Sequence, residues 1–236
     1  MSAEAEAGLT GLPQGEAKVK AVDDMFDAIA PKYDLLNRLL TFGMDIGWRR
    51  RTVRSLQLPA GSRVLDLACG TGDLCRELTK RGYRAIGVDR SAGMLAAHRT
   101  ESPLVRGDAL RLPFPDNSVD GIVCGFALRN FASLKPFLVE CGRVLRPGGK
   151  VALLEVAQPA NAVLRWGHGL YFGKVVPLVG GLLSDRDAYR YLPKSVAYLP
   201  EPEAMMAMLR DAGFPDATRT VLSGGIAQLL TATRAA

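Results

Sequence analysis

The sequence has few of the residues that hold metal ions or build a disulfide framework. Of its 236 residues, two are histidine and four are cysteine, and the cysteines (Cys69, Cys75, Cys124 and Cys141) show no Cys-x-x-Cys spacing. We therefore predict no metal site and expect reduced, buried thiols. The apolar stretch at 162–183 is interrupted by charged residues and proline, which argues against a membrane-spanning helix.

The beginning of the chain also lacks the basic start and apolar run of a secretory signal, so we expect a cytoplasmic protein. Residues 1–20 mix Ala, Glu, Gly and Pro without periodicity, which predicts a disordered tail. The net charge of +6 allows an anionic partner, but the basic residues are scattered. Three consecutive arginines occupy residues 49–51. They either contact anionic lipid headgroups or lie on a solvent-exposed face of a helix.

The most informative stretch runs from residue 64 to residue 73. An apolar run that contains Asp66 breaks into Gly70-Thr71-Gly72, and a helical pattern follows. This order predicts a strand, a glycine turn and a helix whose first N–H groups are free to meet a ligand. We therefore expect this loop to bind a nucleotide-like ligand.

This loop lacks the third glycine of a dinucleotide-binding loop, and Asp73 at the start of the helix disfavours a pyrophosphate. Seventeen residues after Gly72, a second apolar run ends in Asp89, which is placed to accept hydrogen bonds from two ribose hydroxyls. A glycine turn and a following carboxylate without phosphate-binding chemistry indicate S-adenosylmethionine. A dehydrogenase that uses NAD is the rival interpretation.

Residues 66–73 resemble the first motif of class I S-adenosylmethionine-dependent methyltransferases. The alternation of strands and helices predicts the matching α/β fold, a Rossmann-like and mostly parallel seven-stranded sheet with helices on both faces and a closing antiparallel hairpin. The predicted strands are 63–68, 84–89, 104–106, 119–125, 150–156, 217–222 and 226–233, and the predicted core helices are 73–81, 92–99 and 134–145.

We expect a single domain over residues 21–236. Its predicted parts are a helical prefix (21–60), a cofactor-binding core (61–156), a substrate-covering insert (157–200), and a C-terminal helix and hairpin (201–236). Because ligands bind outside the carboxyl ends of parallel strands, the motifs at those ends are the candidate site.

Several candidates at these ends have two interpretations. Asp108 either accepts the adenine amino group, beside the N–H of Ala109, or caps a turn. Arg129 and Asn130 are either substrate-binding groups or a structural hydrogen-bonded pair. Tyr33 either covers the cofactor or packs on the sheet.

From about residue 22 onward the chain resembles the quinone-biosynthesis C-methyltransferases, which act on demethylmenaquinol and ubiquinone precursors. The resemblance rests on residues 25–34, 66–73, 112–114, 126–130 and 189–196. The residues we expect to bind the cofactor are Tyr33, Asp66, Gly70, Thr71, Gly72, Asp89, Arg90, Asp108, Ala109 and Gly125.

The resemblance implies methyl transfer from S-adenosylmethionine to a ring carbon of a reduced demethylmenaquinone in menaquinone biosynthesis. Arg129 is expected to stabilise the phenolate, and Asn130, Tyr189 and Tyr191 to orient the ring. Departures at Ala127 and Gln228 keep a ubiquinone precursor or another aromatic natural product open as the substrate.

A hydrophobic, prenylated substrate implies peripheral contact with a membrane. The sequence leaves open whether the chain forms a homodimer. A nucleic-acid partner is not expected, because the chain has neither a catalytic Cys motif nor an Asn-Pro-Pro-Tyr type loop for chemistry on a base.

Overall fold

A computed structural model of the protein describes residues 13–171 and 195–236. The strands are β1 Arg63–Leu67, β2 Arg84–Asp89, β3 Leu104–Arg106, β4 Val119–Gly125, β5 Leu145–Val156, β6 Thr218–Leu222 and β7 Ala227–Thr233. The α-helices are α1 Gly15–Ile29, α2 Tyr33–Leu40, α3 Met44–Ser55, α4 Asp73–Lys80, α5 Ala92–Ala96, α6 Leu134–Val144, α7 Ala162–Leu170 and α8 Pro202–Asp211.

The strands form one seven-stranded sheet in the order β3-β2-β1-β4-β5-β7-β6. The first five strands run parallel to one another, whereas β7 pairs antiparallel with both β5 and β6. The predicted fold is therefore confirmed, including the closing hairpin. The carboxyl ends of the parallel strands meet at one edge of the sheet, which is where the predicted motifs come together.

Both faces of the sheet are covered, because alternate residues of each strand point to opposite sides. In β4, Ile122 and Cys124 pack in a cluster with Phe137 of α6. Between them, Val123 packs on the other face in a cluster with Trp48 of α3 and residues of α4. Two separate apolar layers thus hold the central strand in place.

The first described helix differs from the expectation of a disordered tail up to residue 20. Helix α1 begins at Gly15, and its residues Lys18 and Val22 are buried. The Lys18 amine donates to the carbonyl oxygen of Phe131 at 2.8 Å and lies 3.7 Å from the ring centroid of Tyr198. These contacts with residues far away in the sequence stabilise the helix, and local composition could not predict them.

Two boundaries in the core differ from the prediction by more than one residue. Strand β5 begins at Leu145 rather than at residue 150, because Leu145 pairs with Val119 before the ladder resumes at Lys150. Helix α5 ends at Ala96, three residues earlier than predicted. Neither difference moves a strand end that faces the candidate site.

Candidate active site

A cavity at the carboxyl ends of β1, β2 and β4 is lined by most of the predicted cofactor residues. We call it the cofactor cavity. Its walls include the loop after β1 and the turns after β2 and β3, with α1 above them. Of the predicted residues, it is lined by Tyr33, Asp66, Gly70, Thr71, Asp89, Arg90, Asp108, Ala109 and Gly125.

Gly72 is the exception, and its role as a cofactor-binding residue stays a prediction. The described wall of the cavity does not include it. Its φ is +89°, and a Cβ added there would lie 2.4 Å from Cγ2 of Thr100. The residue therefore permits the turn before α4 and a close approach to Thr100.

Asp66 lines the cofactor cavity and has one buried carboxylate oxygen without a hydrogen-bond partner in the part of the chain that the structure describes. Its Oδ2 accepts a hydrogen bond from the Cys75 backbone N–H at 3.1 Å, whereas Oδ1 has no hydrogen-bond partner among the described residues. Burial raises the pKa of this carboxyl to about 7. A buried acceptor without a partner is costly, so this oxygen is suited to a ligand that brings a cation and N–H donors.

Asp89 follows β2 and is held rigidly by backbone groups. Its Oδ2 accepts from the Gly70 N–H at 2.8 Å, and its Oδ1 accepts from the Ser91 N–H at 2.9 Å. Burial raises the pKa of this carboxyl, and the backbone N–H donors oppose that shift. Each oxygen has further lone pairs that could accept from ribose hydroxyls, so the expected role of Asp89 stays a prediction.

Asp108 lines the cavity and also makes the turn contact that was its alternative interpretation. Its Oδ1 accepts from the Leu110 N–H at 2.9 Å, and its Oδ2 accepts from Nη1 of Arg90 at 2.9 Å. Arg90 also pairs with Asp23 of α1, at 3.2 Å. The residue therefore shapes the turn and, through Arg90, attaches α1 to the cavity.

Helix α1 forms the roof of the cofactor cavity. The carboxylate of Asp27 accepts from the hydroxyl of Ser91 and, at 2.9 Å, from the N–H of Gly93. Together with the Asp23–Arg90 pair and the Lys18 contact described above, these bonds hold the helix over the site. Access to the cavity therefore depends on how firmly α1 is docked.

The lining of the cofactor cavity has more carboxylates than cations, although Asp34 and Asp73 also pair with arginines outside the lining. Six aspartates and two arginines line it in the described part of the chain, namely Asp23, Asp34, Asp66, Asp73, Asp89, Asp108, Arg49 and Arg90. Such a lining repels phosphate groups and attracts a cationic ligand. This favours a sulfonium compound over a dinucleotide.

A second cavity of about 370 Å³ lies beside the first, between α2, α3, α7 and the turn before β7. We call it the acceptor cavity. Most of its lining is apolar, including Leu40, Phe42, Trp48 and Ile226. Its volume is within the range of small-molecule sites. A planar, largely apolar ligand would fit such a space.

The two cavities share three residues: Tyr33, Arg49 and Phe126. The guanidinium carbon of Arg49 lies 5.5 Å from the ring centroid of Phe126. Arg49 forms an ion pair with Asp45 and lies 3.5 Å from a carboxylate oxygen of Asp73. A group bound in one cavity can therefore reach a group bound in the other at this junction.

Arg129 lines the acceptor cavity, but its charge is compensated. It forms a fully buried ion pair with Glu155, and its Nε donates to the hydroxyl of Ser195 at 3.1 Å. Its Nη1 also donates to the carbonyl oxygen of Phe126 at 2.8 Å. This geometry favours the structural interpretation of Arg129 over a free cation that meets a phenolate.

A sequence profile of the ubiE/COQ5 methyltransferase family matches residues 14–234. The chain belongs to this family. A relative named demethylmenaquinone methyltransferase from Thermus thermophilus is 46% identical over 200 residues, which are 80% of this chain and 91% of the relative. A second relative of that name, from Deinococcus radiodurans, is 43% identical over 217 residues, or 88% of this chain and 90% of the relative.

Among solved structures, phosphoethanolamine N-methyltransferase 2 of Haemonchus contortus in complex with S-adenosyl-L-methionine matches with a TM-score of 0.60 at 15% identity. The match covers 80% of this chain and 52% of that one, so this chain spans about half of its length. At that identity the likeness shows the methyltransferase fold alone. The resemblance predicted from the sequence is confirmed by the family match.

The remaining residues expected to act in this ubiE/COQ5 family methyltransferase fall in different places. Asn130 lines the cofactor cavity, whereas its neighbour Arg129 lines the acceptor cavity. Tyr189 and Tyr191 lie outside the described residues. Their expected role in orienting a ring stays a prediction.

Sequence reasoning missed Asp45 and Arg49 of the methyltransferase. The interpretation of the run 49–51 as an exposed basic face is wrong for Arg49, which is buried. The signal was present in the sequence, because an aspartate and an arginine four residues apart on a helix lie on the same face. We had no reason to expect that this face pointed inward.

Proposed function

We propose that this methyltransferase transfers the methyl group of S-adenosylmethionine to a ring carbon of a reduced demethylmenaquinone, in menaquinone biosynthesis. The observation that carries the proposal is the junction at Tyr33, Arg49 and Phe126, where an acidic cavity meets a largely apolar one. The two relatives described above carry the name of this activity.

The cofactor cavity suits S-adenosylmethionine in its charge and its hydrogen-bonding groups. The free Oδ1 of Asp66 is a partner for the ammonium group of the methionine part. Asp89 is a partner for the ribose hydroxyls, and Asp108 and Ala109 line the wall where the adenine would lie. The acidic lining also stabilises the sulfonium charge.

The acceptor cavity suits a naphthoquinol ring with an apolar tail. The ring carbon becomes nucleophilic when the neighbouring hydroxyl loses its proton, so the quinol, and not the quinone, is the reactive form. An apolar cavity excludes water from the sulfonium and holds the ring next to the methyl group. The shared residues Tyr33 and Phe126 would pack against the two reactants at the point of transfer.

The proposal is tested with the purified full-length chain, S-adenosylmethionine and a short-chain demethylmenaquinone under a chemical reductant and without oxygen. We expect mass spectrometry to show one added methylene mass on the naphthoquinol. The oxidised quinone is the matched control and should not react. Methylation of a benzoquinol ubiquinone precursor alone would instead assign the alternative substrate, and calorimetric binding of NADH in place of S-adenosylmethionine would contradict the proposal.

We also propose that the chain takes its prenylated substrate from a bilayer surface. Exposed apolar side chains lie at the opening of the acceptor cavity, with Phe42 and Val163 each 76% exposed. Trp166 is 73% exposed on the same helix as Val163, and Arg165 beside it suits anionic headgroups. None of the described helices is long and apolar enough to cross a membrane, so this contact would be peripheral.

The two tryptophans make this membrane proposal measurable, because Trp166 is exposed and Trp48 is buried. We expect vesicles of mixed zwitterionic and anionic phospholipid to shift the fluorescence of the protein to shorter wavelength. Trp166→Phe is the control that should lose the shift, and Val163→Asp should weaken vesicle binding. An unchanged spectrum and no sedimentation with vesicles at low salt would contradict the membrane contact.

A further inference from the structure

The proposed reaction needs a proton acceptor, and the acceptor cavity contains one that sequence reasoning did not identify. Asp45 lies in the first turn of α3 and is 1% exposed. Among the described residues that line the acceptor cavity it is the only carboxylate, and none of them is a histidine. A quinol hydroxyl bound in that cavity would therefore meet Asp45 as the available base.

The carboxylate of Asp45 is held in place on both sides. Its Oδ1 accepts a hydrogen bond from the hydroxyl of Thr41 at 2.8 Å, and its Oδ2 pairs with Arg49 one helical turn away. Arg49 lies at the junction of the two cavities. The base is thus next to the place where the methyl group would cross.

We propose that Asp45 accepts the proton of the ring hydroxyl during methyl transfer and that Arg49 stabilises the phenolate that forms. This inference rests on the proposed function, since it concerns the same quinol. The oxygen–hydrogen bond of the quinol breaks as the proton moves to a carboxylate oxygen of Asp45. The electron pair moves through the ring, a bond forms between the ring carbon and the methyl carbon, and the sulfur–methyl bond breaks to leave a neutral thioether.

The ring then regains its aromaticity. The proton on the methylated carbon leaves to water, and the carbonyl oxygen recovers its proton from Asp45. One proton is released per turnover, the positive charge on sulfur is lost, and Asp45 returns to its ionised form. The step needs no oxidant, reductant or further reactant.

The ion pair explains how charge is balanced in a buried site. Burial lowers the pKa of Arg49, but the attraction of Asp73 and Asp45 outweighs it and raises the pKa above its ordinary value, so Arg49 stays charged. When Asp45 becomes neutral, the phenolate oxygen replaces it as the partner of Arg49. After methyl transfer the ring oxygen is a neutral carbonyl and Asp45 is still protonated, and Arg49 then keeps Asp73, at 3.5 Å, as its counter-charge.

The other titratable groups around Asp45 do not compete for this role. Burial raises the pKa of Tyr33, so its hydroxyl stays protonated near neutral pH. Arg129 also lines the acceptor cavity, but its charge is compensated by the buried ion pair with Glu155. Asp73 faces the cofactor cavity and is also paired with Arg76.

The test compares the wild-type chain with Asp45→Asn in the methylation of a short-chain demethylmenaquinol. We expect kcat to fall by about 10²- to 10⁴-fold, the usual contribution of a general base. The lost rate should recover about tenfold per pH unit as pH rises toward the quinol pKa of about 10, because solution then supplies the phenolate. The wild type should show no such rise.

A second readout uses quinols of different acidity. An electron-withdrawing ring substituent lowers the pKa of the hydroxyl, so the deficit of Asp45→Asn should shrink with the more acidic quinol. Asp45→Glu keeps a carboxylate and should restore part of the rate without pH rescue. Glu77→Gln is the matched control, because it removes the carboxylate partner of Arg50 outside both cavities, and it should keep the wild-type rate.

The outcomes separate this inference from the proposed function. A wild-type rate in Asp45→Asn, or a loss that neither pH nor quinol acidity restores, overturns the role of Asp45 while methylation by the wild type stands. No methylation of any quinol by the wild type overturns both. If Asp45→Asn does not fold, Asp45→Asn/Arg49→Gln removes both charges of the pair, and a wild-type rate at neutral pH in that variant overturns the role of Asp45.

Discussion

The affinity for S-adenosylmethionine should depend on pH through Asp66. In the free protein, burial raises the pKa of this carboxyl to about 7. In the proposed complex the ammonium group binds only the ionised form, so binding should lower this pKa. Affinity should therefore rise with pH up to about 7 and then level off, while protons are released on binding below that pH.

The size of the effect follows from the pKa. If only ionised Asp66 and the protonated amine bind, the dissociation constant at pH 6 should be about fivefold higher than at pH 8, or about 1 kcal/mol. The α-amino group, with an ordinary pKa near 8, stays protonated over the lower part of this range. The stability of the cofactor-free protein should depend on pH in the opposite direction. The folded protein holds the Asp66 proton up to about pH 7, whereas an unfolded chain releases it at about pH 4. The free energy of unfolding should therefore fall between these two pH values, by at most about 4 kcal/mol.

Calorimetry in two buffers with different ionisation enthalpies measures both quantities. We expect close to one proton released per cofactor at pH 6 and few at pH 8. Burial also raises the pKa of Asp89, which titrates in the same direction, so Asp66→Asn is needed to separate the two. A dissociation constant that is equal at pH 6 and pH 8, or unaltered pH dependence in Asp66→Asn, would refute the assignment of Oδ1 to the ammonium group.

Three further predictions concern the scaffold and are read by thermal or urea unfolding. Gly72→Ala should destabilise the protein by about 1–3 kcal/mol, because the added methyl meets Thr100 at a positive φ; a neutral result would mean that the turn relaxes. Glu155→Gln should cost about 3–5 kcal/mol by leaving Arg129 buried without its counter-charge, and equal stability would show that the pair is dispensable. Phe137→Ala should cost about 3–5 kcal/mol at a fully buried site, and a loss below 1 kcal/mol would contradict that packing.

The sheet and the cofactor cavity were predictable because their signals are local. The apolar runs before Gly70 and Asp89 identify two strands, and the rules for parallel sheets bring their carboxyl ends together without knowledge of the packing. Nine of the ten predicted cofactor residues line one cavity as a result. Gly72 is the tenth residue and does not line that cavity. A glycine required by a turn and a glycine required by a ligand look the same in a sequence.

The acceptor side was harder to predict because it depends on contacts between distant parts of the chain. Glu155 lies 26 positions after Arg129, and only the folded sheet shows that the two charges cancel. Arg49 belongs to a run of three arginines, and composition does not show which of them turns inward. The docking of α1 depends on Lys18 and Phe131, which are 113 positions apart.

The acidic wall of the cofactor cavity also affects what happens after the chemical step. Once the methyl group has left, S-adenosylhomocysteine no longer carries a positive sulfur, while the surrounding aspartates are unchanged. S-adenosylhomocysteine therefore lacks the attraction between a positive sulfur and the aspartates. This difference favours its replacement by S-adenosylmethionine after each turnover. Added salt should narrow the gap between the affinities of the two compounds, because screening weakens only the interaction in which they differ.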